Sequence, residues 1–125
     1  MADINANSIG NRAGTVTLDL SNLGLGLSGE TWVDETANRN LGTEYTNDTG
    51  KPIMVTVSGS SNAVNEPLAL LLYVNGNVIA RTDLAKADTF GVCATSSAII
   101  PDGSSYKLEA LNATNPTITN WSELK

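Results

Sequence analysis

Apolar and polar residues alternate in short runs along most of this chain, and turn-forming residues separate the runs. The clearest case follows the stretch TEYTNDTGKP. Ile53, Val55 and Val57 fall on one face and Met54, Thr56 and Ser58 on the other, the two-residue period of a half-buried β-strand. Asn47 and Asp48 can hydrogen-bond back to the local backbone and Gly50 can take positive φ, so the polar knot ahead of the strand predicts a turn. Pro52 suits a strand start, where a missing N–H costs little. The knot is therefore expected to be strand punctuation and not an active loop.

LALLLYV, residues 68–74, is continuously apolar, as a central strand covered on both faces is. Asn75-Gly76 is the strongest short hairpin signal, and the chain returns through Val78, Ile79 and Ala80 to Arg81. TDLAKAD, residues 82–88, suits either one helical turn or a loop. GVCATSSAII predicts a strand ended by the turn Pro101-Asp102-Gly103. Tyr106, Leu108 and Ala110 share one face of the next strand, and a last strand spans Ile118 to Leu124 around Trp121. Trp32, Tyr45, Tyr106 and Trp121 are the expected anchors of the core.

Short strands with turns at this spacing predict an all-β fold, an antiparallel β-sandwich of jelly-roll-like type over residues 32–125. Residues 1–31 differ in texture and are expected to be an attachment and trimerisation segment. In TVTLDL, Val16, Leu18 and Leu20 alternate as in a strand. In LGLGL, Leu23, Leu25 and Leu27 alternate with Gly24 and Gly26. Glycines weaken a lone strand but allow a second backbone to approach closely. Two readings stand side by side: a strand buried between identical chains, or a Gly-rich connector that contains Leu.

Composition sharpens the class. Charged residues are 16% of 125 residues, and Asn, Thr and Ser make up about a third, a strand-and-turn vocabulary with little for helices. The net charge of −6 and the scatter of the seven basic residues speak against nucleic acid as a partner, since a phosphate-binding surface needs clustered Lys and Arg. The single cysteine, Cys93, forbids an intrachain disulfide and reads as a small buried hydrophobe. A small domain without disulfides is expected to gain stability by oligomerisation. No basic start followed by an apolar run marks an export signal, so the chain is expected either to stay in the cytosol where it is made or to leave by a route that needs no signal, such as cell lysis.

Candidate chemistry is sparse. The chain has no His, which removes the commonest general base and metal ligand, and a single Cys builds no zinc site. Neither a dinucleotide nor a P-loop motif occurs. The carboxylate pairs Asp34 with Glu35, Asp83 with Asp88, and Glu109 with Glu123 all read as solvated surface rather than as a glycosidase pair. The expectation is no enzyme, no catalytic residue, no metal and no cofactor. Asn47, Asn112 and Asn120 head Asn-x-Ser/Thr triplets that arise by chance in such a composition.

Several segments, in order, resemble a known family: WVDETANR from Trp32, LGTEYTNDTGKPI from Leu41, VNGNV from Val74, IPDGSSY from Ile100 and the closing WSELK from Trp121. Together they resemble the terminal domain of bacteriophage tail fibres, over residues 32–125. The resemblance implies a β-sandwich that caps a fibre as a homotrimer in the virion and meets the host cell surface, a bacterial glycan or an outer-membrane receptor. A decoration or connector fibre protein on the head or neck, without receptor binding, is the alternative within the same particle. A lectin-like carbohydrate-binding module is the alternative outside it. Loop tips on a rigid sandwich carry such contacts. The candidate contact residues are Ser60, Ser61, Asn62 and Asn65 in one loop, Asp83 and Asp88 in the next, and Asn112 and Asn115 in the last. Leu23, Gly24, Leu25, Gly26 and Leu27 are the candidate trimer interface.

Overall fold

The computed structural model describes residues 29–125 and, before them, two three-residue strands, β1 (Ser8–Gly10) and β2 (Thr17–Asp19), paired antiparallel. The Leu23–Leu27 interface expected from the sequence lies outside the described residues. Eight further strands follow: β3 (Trp32–Asp34), β4 (Glu44–Thr46), β5 (Ile53–Ser60), β6 (Leu68–Val74), β7 (Asn77–Leu84), β8 (Cys93–Ile100), β9 (Ser105–Leu111) and β10 (Thr117–Leu124). They form two four-stranded antiparallel sheets, ordered β3-β10-β5-β8 and β4-β9-β6-β7. The pairings nest: β3 with β10, β4 with β9, β5 with β8 and β6 with β7.

The alternation puts the apolar faces of both sheets into one core. Ile53, Val55 and Val57 of β5, Leu68, Leu70 and Leu72 of β6, Ile100 of β8, Leu108 of β9 and Trp121 of β10 are almost wholly buried. β6, flanked by β9 and β7, is buried along nearly its whole length, which is why its sequence is apolar without alternation. Burial at roughly 25 cal/mol per Å² of apolar surface makes this core the main stabilising term.

The punctuation is as expected at the turns. Asn75 (φ 50°) and Gly76 (φ 80°) join β6 to β7 with positive φ at both positions, as a twisted two-residue hairpin requires. The Asn47 amide donates to the carbonyls of Lys51 (2.8 Å), Ile100 (3.0 Å) and Pro101 (3.2 Å), tying the β4–β5 turn to the β8–β9 turn. Its Oδ1 accepts from the Thr49 N–H and hydroxyl, so the whole amide is consumed inside the fold.

Four expectations are corrected. Trp32 is 53% exposed, because β3 is an edge strand and Trp32 lies on the outer face of its sheet. Cys93 is exposed, since β8 turns Ala94, Ser96, Ala98 and Ile100 inward and leaves Cys93, Thr95, Ser97 and Ile99 outside. Glu123, read as solvated surface, is fully buried because it shares the inward face of β10 with Trp121. The only helical turn among the described residues is a 3-10 turn at Thr36–Asn38, while residues 82–84 extend β7 and the rest of that segment is loop.

Candidate functional site

The ends of the sandwich are unlike. At one end Thr31 and Lys125 exchange two backbone hydrogen bonds of 3.1 Å, so the domain's first and last described segments meet there, beside the Asn47 turn. We call this end the base. The loops β5–β6 (61–67), β7–β8 (85–92) and β9–β10 (112–116) gather at the opposite end, the tip. Three contacts tie them together. Asn65 N–H donates to the Ala87 carbonyl (2.7 Å), Thr114 donates N–H (3.1 Å) and hydroxyl (2.5 Å) to Glu66, and the Asn62 amide donates to the Thr117 hydroxyl (2.8 Å).

The eight contact residues expected from the sequence separate on inspection. Ser60 and Ser61 are buried and hold the loop: Ser61 Oγ accepts from Val92 N–H (3.1 Å) and donates to the Ala63 carbonyl (3.2 Å), and Ser60 Oγ accepts from Asn62 N–H (3.1 Å). Both side chains thus face the protein rather than solvent. Asp83 lies on β7 and not in the loop, and it takes Arg81 bidentately at 2.6 and 2.9 Å. Asn62, Asn65 and Asn112 are exposed at the tip with φ of 59°, 61° and 70°, so the backbone itself calls for Asn, which tolerates this region. Asp88 and Asn115 are exposed in their loops.

Phe90 was missed. It is the most exposed large apolar side chain among the described residues, at 64%, and Val64 in the β5–β6 loop is 51% exposed. Gly91 seats Phe90's segment against the β5–β6 loop so closely that an added Cβ would lie 3.2 Å from Ala63 N, 3.2 Å from Ser61 Oγ and 3.3 Å from Asn62 N. The signal was present in ADTFGV, where an aromatic stands outside any alternation, between turn residues.

Halfway down one side, β3 and β4 stop after three residues and leave β9 and β10 uncovered toward the tip. An open groove of about 290 Å³ lies there, lined by Thr36, Arg39, Asn40, Leu41, Pro116, Thr117 and Ile118. A second of about 240 Å³ shares Leu41 and Pro116 with it.

Below the groove is a buried ion network. Glu123 accepts from Arg39 Nη2 (2.8 Å), Tyr106 OH (2.7 Å) and Lys125 Nζ (3.1 Å), while Lys125 also meets Glu35 at 3.2 Å. The Arg39 guanidinium lies 4.5 Å from the Tyr45 ring centroid, and Tyr45, Tyr106 and Trp121 form a cluster of rings 5.9–6.4 Å apart. Burial alone would raise the Glu123 carboxyl, but hydrogen bonds from Tyr106, Arg39 and Lys125 outweigh it and hold the group below the usual range. Glu35 is likewise held low, burial being outweighed by Asn38, Lys125 and Arg39. Burial and the adjacent Glu123 push the Tyr106 phenol up. Both carboxyls are thus held low by the same cations, Arg39 and Lys125, in a network that ties β10 to the 35–39 segment. No group of three or more potential metal ligands occurs among the described residues.

Set against protein-family models, curated proteins and solved structures, the chain gives no match in any of the three.

Proposed function

We propose that this chain is a structural protein of a phage virion whose β-sandwich projects from a fibre or tail tip and attaches to the host cell surface without chemical turnover. The observation that carries the proposal is the polarity of the domain: its first and last segments meet at the base, and three mutually tied loops gather at the tip. A domain anchored at one end presents the other outward.

The residues that carry the resemblance to tail-fibre terminal domains also support it, because Arg39, Tyr45, Tyr106, Trp121, Glu123 and Lys125 meet in one buried network. Segments far apart in the sequence thus meet in one network. The nested strand pairs, first with last and inward to a central hairpin, are what a jelly roll of two Greek keys would have, and we assign that topology. The assembly we propose is a homotrimer joined partly through Leu23–Leu27, with the base on other virion proteins.

Competition tests the function. Added protein should block adsorption of the phage to its host, in proportion to concentration. Full adsorption at saturating protein would overturn receptor attachment and leave the connector role. Hydrolysis of host polysaccharide that disappears in Asp34→Ala or Glu35→Ala would overturn the absence of turnover.

A further inference from the structure

We infer that the tip carries a binding site for an uncharged saccharide, with Phe90 as its stacking platform beside the β5–β6 loop. The site deepens the attachment role proposed above and rests on it for its biological setting, though not for its chemistry. At the tip, several polar side chains already have work: Ser60 and Ser61 hold a loop and Glu66 holds Thr114. Phe90 has none, since 64% of it faces solvent and the fold gains little from it.

Its segment is nevertheless fixed. Gly91 fits tightly against the backbone of Asn62 and Ala63, where an added Cβ would press on both, and the residue after it is bonded both ways to Ser61: Val92 N–H to Ser61 Oγ at 3.1 Å and Ser61 N–H to the Val92 carbonyl at 3.0 Å. An aromatic on a pinned backbone loses little further freedom on binding, which is the advantage of preorganisation.

The occupant follows from size and charge. A protein partner at a standard interface covers about 800 Å² per side, with a cluster of apolar anchors. Phe90 and Val64 are the large exposed apolar side chains of the three described tip loops, too small a patch for that. A lipid surface calls for basic residues beside the apolar ones, and a polyanion for a cluster of them. The loops hold Lys86 against Glu66 and Asp88 in a chain of net charge −6. What remains is a ligand with one flat apolar C–H face for the ring and neutral hydroxyls for the exposed Asn and Thr groups nearby. A neutral sugar ring has that form. One such contact is weak, and multivalent presentation would raise its effective affinity.

The full chain should be passed over immobilised homo-oligomers of glucose, galactose, mannose and N-acetylglucosamine, with phosphorylated mannan as the anionic probe. The expected result is binding to at least one neutral oligomer that persists when salt is raised. Phe90→Ala should weaken it about tenfold, the scale of one lost aromatic contact. Phe90→Tyr should retain it, and both variants should melt like the parent because the ring is exposed. No binding to any neutral oligomer, binding only to phosphorylated mannan, or parental binding by Phe90→Ala would each overturn the inference. Adsorption separates it from the function: if parent and Phe90→Ala block adsorption equally, attachment stands and the platform falls. If a neutral oligomer binds through Phe90 while the parent blocks nothing, the platform stands and attachment falls.

Discussion

Trp121 and Trp32 are the same residue type, and the fold treats them oppositely. Trp121 is fully buried in the ring cluster with Tyr45 and Tyr106, whereas more than half of Trp32 faces solvent. Trp121→Ala should cost about 3–5 kcal/mol, a large share of the roughly 5–15 kcal/mol a domain holds. Thermal melting checks it, and Trp32→Ala should change little by comparison. Glu123 sets the acid limit. Its folded carboxyl titrates below the ordinary value, so the unfolded chain takes up the proton first as pH falls. The stability it contributes is complete above the ordinary glutamate range and is lost as pH drops through the lowered folded value. Glu123→Gln should flatten that acid limb, while Glu123→Ala, which leaves Arg39 and Lys125 with Glu35 alone and the buried Tyr106 hydroxyl without its acceptor, should cost about 3 kcal/mol at neutral pH. Denaturant melts across acid pH would show both. The sequence carried Trp121 legibly, within an alternating strand. It did not carry Glu123, because charge alone reads as surface until Arg39 and Tyr106 arrive from 84 and 17 residues away.

At the scale of elements, long strands and tight turns were legible and short edges were not. β5, β6 and β9 show their period or their continuous apolar run in seven or eight residues, and Asn75-Gly76 and Pro101–Gly103 name their turns. β3 and β4 have three residues each, too few to display a period, and they exist because β10 and β9 offer them an open edge. The tip loops were legible as loops, but which side chains remained free in them depended on hydrogen bonds between loops. The Asn47 turn gives the sharpest test at this scale. Asn47 is buried and its amide serves three carbonyls, so Asn47→Ala leaves acceptors without a donor at a cost of about 1–3 kcal/mol. Hydrogen exchange should show the Lys51–Met54 and Ile100–Gly103 segments loosening together. Asp48→Ala, at an exposed neighbour, should leave both protected.

For the whole molecule, class was legible and assembly was not. Composition and turn spacing point to an all-β domain, but the number of chains that associate leaves no periodic trace. Light scattering on the parent chain should give a trimer, and changing both Gly24 and Gly26 to Val should dissociate it if their backbones meet near an axis. A monomeric parent would remove that account of the LGLGL segment.

The meeting of Thr31 and Lys125 at the base has a mechanical consequence. β3 and β10 run antiparallel from that shared end, so a pull between residues 29 and 125 opens them like a zipper, one hydrogen bond at a time. A pull between residue 29 and the tip loop at Asn115 instead runs along the strands and loads many ladder bonds together in shear. Forced rupture is governed by the unfolding rate under load, so single-molecule stretching should find the tip-to-base direction markedly stronger than the end-to-end one. A projecting module held at its base and tugged at its tip would meet drag along its strong axis.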